Sequence, residues 1–190
     1  MYNSMSIMPK IPYNIVTELI NNPDAEDLWK MLKYNDYNAL SNENLTKSEK
    51  MKFIWKEGAQ QDYSIFFTNL VEDVIAESRC IMKCYNYYIH ANELYSGVVV
   101  YCFDFLYGGQ MSLVEKDNAP VSRGDLFINT ILKCLNGKYV GGVGKLTFYD
   151  DMSRYDLARS IVGNSKTFTG IQLFLSVIVG DSGRADECDS

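Results

Sequence analysis

The run VVVYCFDFLY at residues 98–107 is apolar at odd and even positions alike. Strand side chains alternate between two faces, so a run like this avoids water only inside a sheet covered on both sides. The chain must therefore supply flanking strands to pair with this one and layers to cover it. Gly108 and Gly109 end the run.

Two further segments have the period of strands. From Ser78 to Ile89 the sequence SRCIMKCYNYYI contains no Gly or Pro. Alternation sets Ile81, Lys83, Tyr85 and Tyr87 on one side of it, with Cys80, Met82 and Cys84 on the other. HANELYSG then reads as the hairpin connection to the central run. Phe168 to Val179 also alternates, with Ile171, Leu173, Leu175, Val177 and Val179 opposite Gln172 and Ser176. KLTFYD, from Lys145, predicts a shorter strand.

Helical signals fill the first third and one later segment. Pro9 and Pro12 predict an extended arm over 1–12, since proline lacks an N–H and disfavours helix just before it. Ile15, Val16, Leu19 and Ile20 then follow helical spacing from Asn14. Asn22 is a candidate N-cap with Pro23 behind it, and Leu28, Trp29, Met31 and Leu32 give the next helix its apolar stripe. Thr46 and Glu49 have capping-box spacing, ahead of Phe53, Ile54 and Trp55, with Gly58 as a stop. Ser122 or Asp125 opens a helix bearing Leu126, Phe127, Ile131, Leu132 and Leu135, closed at Asn136–Gly137. EKDNAPVS and residues 151–166 read as a loop and a long arm.

This order predicts an α+β fold: a helical N-terminal part followed by a strand–strand–helix–strand–strand domain with a mainly antiparallel sheet. The expected division is an N-terminal arm and helices over 1–76, a core over 77–180 carrying the arm 151–166, and a disordered acidic tail over 181–190. At 190 residues one domain is expected.

Composition excludes more than it identifies. A net charge of −6 argues against a general nucleic-acid binder, which needs a basic face to displace counterions. A single histidine excludes any site built on two imidazoles. The five cysteines contain no C-x-x-C pair. Cys80, Cys84, Cys102 and Cys134 have apolar neighbours, so they read as small buried hydrophobes. The opening residues lack the apolar core of a signal peptide, and the apolar stretches 98–103 and 171–179 are too short to span a bilayer. A cytosolic place of synthesis and no membrane insertion are expected.

The motifs that could carry chemistry are weak. Gly141-Gly142-Val143-Gly144-Lys145 resembles part of a phosphate loop, but Tyr139 stands where the first glycine belongs and Leu146 where a Ser or Thr would hold magnesium. It also leaves a helix and enters a strand, the reverse of the required order. A tight turn or a close contact with a neighbouring chain is the better reading. His90 has no partner in the sequence and reads as an exposed turn residue. Asp150, Asp151 and Asp156 lack the spacing of a calcium loop. No catalytic residue, cofactor or metal is expected. Tyr85, Tyr87, Tyr88, Tyr101, Phe103 and Phe105 suit core packing and a protein–protein face better than base stacking, since only Arg79 and Lys83 lie among them. Arg154, Arg159 and Lys166 gather on the 151–166 arm beside Tyr155, Leu157 and Ile161, which marks the arm as a candidate interface. Gly141, Gly142 and Lys145 are added to it.

The strand–strand–helix–strand–strand order over 78–180 and the segment ILKCLNGKYVGGVGKLTFYD resemble head-to-tail joining proteins of tailed bacteriophages, of the tail-terminator or neck-ring type. The lead-in LTKSEKMKFIWKEG and the long arm before the last strand are similar too. The resemblance implies a non-enzymatic virion subunit, made in the host cytoplasm, that closes into a six- or twelve-fold ring. Such a ring would join portal or connector to tail, contact other neck, portal or tail proteins, and pass DNA without binding it specifically. The alternative expectation is an α+β domain that binds a small molecule or peptide without catalysis.

Overall fold

The computed structural model describes residues 8–54, 56, 63–69, 79–93, 96–140, 144–148, 158–162 and 168–180. Helix α1 spans Ile11–Asn21 and buries Ile11, Ile15, Val16, Leu19 and Ile20 along one stripe. It begins three residues before the expected start, and Pro12 sits in its first turn. Proline is harmless there, because the first turn's N–H groups have no intrahelical partner. Residues 8–10 form a 3₁₀ turn, so this part of the expected extended arm is helical instead; 1–7 lie outside the described residues.

Asn22 caps the next turn by accepting from Asp24 N, and α2 follows over Glu26–Lys33. Its Trp29 is fully buried, donates Nε1 to Leu19 O at 3.2 Å, and stacks on Phe53. Helix α3, Lys47–Lys52, opens with the Thr46–Glu49 capping box. It ends well before Gly58, because Phe53 and Ile54 leave the helix to meet Ser64 and Ile65 through backbone bonds and a parallel bridge. Trp55 and Gly58 lie outside the described residues. Helix α4, Arg123–Leu135, is capped by Ser122 and ends at Asn136.

The strands are β1 (Ile65–Phe66), β2 (Ile81–Glu93), β3 (Ser96–Gly108), β4 (Leu113–Lys116), β5 (Ala119–Ser122), β6 (Tyr139–Val140), β7 (Gly144–Lys145), β8 (Thr147–Phe148), β9 (Ala158–Val162) and β10 (Phe168–Gly180). One sheet runs β1-β2-β3-β10-β8, with β9 also on β10; β1 pairs in parallel and the other pairs are antiparallel. The chain is therefore an α+β protein with a mainly antiparallel sheet. β3 is central, as its two-sided apolar run requires: Phe103 and Phe105 lie on the helix side, Val100 and Cys102 on the other, all essentially without solvent contact. Phe105 stacks on Phe127 of α4, ring centroids 4.7 Å apart. The N-terminal helices and α4 share one core with the helix-facing side of the sheet.

Three expectations are corrected. EKDNAPVS is not a loop: its residues belong to the β4–β5 hairpin, with Asp117 and Asn118 at φ 54° and 61°. A two-residue turn with both φ positive matches strand twist, and Asp and Asn tolerate that conformation. Within the 151–166 arm, Ala158–Val162 is strand, because β9 adds to the edge of β10 from Thr169 to Leu173; 151–157 and 163–166 lie outside the described residues. KLTFYD is divided, with Lys145 in β7 and Thr147–Phe148 in β8.

Candidate functional site

The sheet face turned away from the helices holds a polar network. Asp104, the one charge in the central run, accepts from Gln172 Nε2 at 2.6 Å, from Tyr85 OH at 3.2 Å and from Cys102 Sγ at 3.2 Å. Lys83 Nζ lies 3.6 Å from Oδ2, the oxygen that also takes the Tyr85 bond, and donates to Asn69 O. Lys83, Asp104 and Gln172 are all buried. Burial and the neighbouring carboxylate push the Cys102 thiol up, and burial does the same to the Tyr85 hydroxyl. Both stay protonated, as donors to a carboxylate must, so this cluster ties three strands together and offers no thiolate nucleophile.

At the end of this face beyond the network, aromatic rings reach the surface. A bulge between Asn86 and Tyr88 inserts Tyr87 into β2. Tyr87 therefore lays its ring on Phe174 of β10, centroids 5.0 Å apart, while Tyr88 pairs across to Val100 on the same face. Without the extra residue, two consecutive side chains would point to opposite faces. Tyr87 and Tyr88 are each 37% exposed, and Ile178, two strands away, 64%. His90 is exposed beside them, as expected, but on strand β2 opposite Val98 rather than in a turn; its ring stacks on Tyr88.

A cleft of about 340 Å³ opens at the other end of the sheet, between α2, α3 and the start of β2. Leu32 and Phe53 give it apolar walls; Asn35, Ser64, Lys33, Lys52, Arg79 and Glu49 complete it. Lys33 Nζ donates to Glu49 at 2.8 Å, and Arg79 donates to Tyr63 O at 3.2 Å with its guanidinium over the Tyr63 ring. Among the described residues, the lining of the cleft holds Lys33, Lys52, Arg79 and Glu49 as charged groups.

Three of the expected interface residues, Arg159, Ile161 and Lys145, fall among the described residues. Arg159 and Ile161 belong to β9, opposite Gln172 and Gly170. Lys145 is exposed on β7, paired with Tyr139. Gly144, beside it, has φ 152°, and a Cβ there would stand 2.6 Å from Val177 Cγ2. This glycine serves a close approach to the chain's own β10, not to a neighbouring chain. Arg154, Tyr155, Leu157, Lys166, Gly141 and Gly142 lie outside the described residues, as do Asp150, Asp151 and Asp156.

Cys80, Cys84, Cys102 and Cys134 are free and buried. Burial pushes the thiols of Cys80 and Cys134 up to about 11, against the pull of Arg123 at Cys80. Among the described residues, no group of three or more His, Cys, Asp or Glu could hold a metal ion, and no helix is long and apolar enough to cross a membrane.

Sequence reasoning missed Arg123. This fully buried side chain donates Nη1 to Met31 O and Tyr34 O, at 3.0 and 2.9 Å, and Nη2 to Asp36 O at 2.8 Å. From the first turn of α4 it closes the C-terminal end of α2, taking Met31 O, which the helix leaves open, and the carbonyls of Tyr34 and Asp36 just beyond it.

Comparison with known proteins gives one relation. No curated protein and no solved structure matches the chain. The YomW family matches residues 25–177, from the turn before α2 to near the end of β10, and its name is a phage-type gene name that associates it with phages. A match over that much of the sequence places the chain in the YomW family.

Proposed function

We propose that the chain is a structural virion subunit that forms a ring in the neck or tail of a phage. In this reading the ring joins portal or connector to tail and lines the DNA conduit, with no catalysis, cofactor or membrane anchor. The observation that carries it is the outer face of the sheet, where Tyr87, Tyr88 and Ile178 stand at the surface beside a buried network. Large aromatic rings give extensive contact area at modest entropy cost, which suits a subunit boundary. The phage association of the family supports the setting.

Strand β9 pairs on the side of β10 away from β2, which carries Tyr87 and Tyr88, and a subunit that contacts neighbours through two unlike surfaces makes heterologous contacts, which close into rings when the rotation between copies allows. A net charge of −6 suits a conduit that DNA passes without sticking. The subunit is made in the host cytoplasm and ends in the virion.

Native mass spectrometry and negative-stain microscopy of the full chain, alone and with portal and tail proteins, test the reading. Rings of six or twelve copies are expected; a monomer in both settings sinks it. The cleft at Lys52 and Arg79 favours a second reading, an α+β domain that binds a small molecule or peptide. A ligand-bearing monomer in place of rings would favour that one.

A further inference from the structure

We propose that His90 makes the subunit contact on the outer face of the sheet sensitive to pH: the contact holds while the imidazole is neutral and loosens when it takes a proton. The proposal rests on the ring reading and concerns the regulation of that same face. Tyr88, Val100 and Ser176 stand level across β2, β3 and β10, and His90, Val98 and Ile178 form the next level on that face. Val100 and Ser176 are buried, Val98 is half-buried, and Tyr88, His90 and Ile178 reach the surface. With strands ~4.8 Å apart, His90 and Ile178 are roughly 10 Å from each other. A partner that covers Tyr88 and Ile178 therefore also passes over the imidazole.

His90 is the single histidine of the chain, and imidazole is the side chain that changes charge at mildly acidic to neutral pH. Its ring lies parallel to that of Tyr88, at an interplanar angle of 11° with centroids 6.1 Å apart, and Tyr88 OH is 3.5 Å from Nδ1. This stacking lies within one copy and is the same before and after association, so it does not offset the covering of the ring. Of the six side chains in the two levels, Tyr88 and His90 are the titratable ones, and phenols titrate far above this range. Lys83 and Asp104 face each other roughly 20 Å further down β3, with Arg159 of β9 at the same level. β10 carries no charge, and Glu93 pairs with Ser96 toward the hairpin end. His90 has no ion pair among the described side chains. When a second copy docks, a proton on His90 must leave or enter an apolar contact unpaired. The proton thus binds the free subunit better than the assembled one. The contact is strongest above the titration range and weakens as pH falls through it.

The test follows assembly of the full chain by sedimentation velocity at constant ionic strength, in the setting, alone or with portal and tail proteins, where rings form. The concentration for half-assembly should rise roughly tenfold from about pH 7.5 to about pH 5.5. His90→Gln should assemble equally at both values and His90→Arg poorly at both. Thermal midpoints should stay unchanged in both variants, because the side chain is exposed. Rings that ignore pH, a pH response that survives His90→Gln, or full assembly of His90→Arg overturn this proposal and leave the ring reading in place. A monomer in every setting at both values removes the ring reading and this proposal with it.

Discussion

Gln172 Nε2 donates to Asp104 Oδ1 at 2.6 Å across the β3–β10 pair, in which the two residues face each other. The same carboxylate takes bonds from Tyr85 and Cys102 and faces Lys83, so one side chain joins β2, β3 and β10. A buried charge on a strand is costly alone and tolerable here because each of these partners points at it.

Asp104→Ala should therefore cost about 3 kcal/mol in urea unfolding, since it leaves the Lys83 ammonium buried without its carboxylate. Asp104→Asn keeps one acceptor oxygen and should cost less. A loss under about 1 kcal/mol for the alanine variant would falsify this account of the network.

Gly170→Ala tests the closeness of β10 to β3. A Cβ at Gly170 would stand 2.2 Å from Phe105 O and 2.8 Å from Leu106 Cδ2. Backbone cannot step aside as a side chain can, so the variant should lose about 2–3 kcal/mol by the cost of overpacking. Thermal unfolding reads it; an unchanged midpoint would show that the strands part freely at this point.

Acid should act through Glu49. The hydrogen bond from Lys33 and those from Thr46 lower its carboxyl from 4.5 to about 2. A depressed folded-state value means that its stabilising effect is present above about 4.5 and is lost as pH falls toward 2. Carbon-detected NMR should place the Glu49 midpoint near 2, and Lys33→Met should move it up. A midpoint at the ordinary value in the unsubstituted chain would show that the capping box is open in solution.

Alkali should act through the thiols. Cys80 and Cys134 are raised from 9.0 to about 11 by burial, so their contribution is intact below pH 9 and is lost as pH climbs from 9 to 11. At pH 8 in a Cys188→Ser background, thiol reagents should label the remaining four only as fast as the chain unfolds. Rapid labelling of any one of them would contradict its burial.

Ile178→Glu separates folding from association. The side chain is largely exposed, so the thermal midpoint should change little, within about 0.5 kcal/mol. The same change puts a charge on the sheet face that carries Tyr87 and Tyr88, level with His90 across β3, and should abolish any ring seen by native mass spectrometry. Assembly at undiminished yield would move the subunit boundary away from this face.

The parts of the fold that repeat a short period were plain in the sequence. β3 and β10 declared themselves through two-sided and alternating apolar patterns, and Asn22, Thr46–Glu49 and Ser122 through caps whose partners lie within a turn. What stayed hidden depends on distant residues. β9 has no alternation of its own and is a strand only because β10 offers an edge. The β4–β5 turn rests on Asp-Asn, a weaker signal than Asn-Gly. Asp104 was visible as a charge in an apolar run, but its partners come from three strands, and the cleft joins residues from Leu32 to Arg79. The expected arm contains strand β9, so deleting 151–166 as a probe of assembly would also strip β9 from the sheet.

Arg123 gives the chain no seam along which to come apart. Its three carbonyl partners lie almost ninety positions upstream, and its charge sits where water does not reach. Remove the first helices and a cation is stranded in the core; remove α4 and the end of α2 loses its closure. Pulled from its two ends, such a molecule should yield in one abrupt rupture rather than in stages, with the helices and the sheet surrendering together.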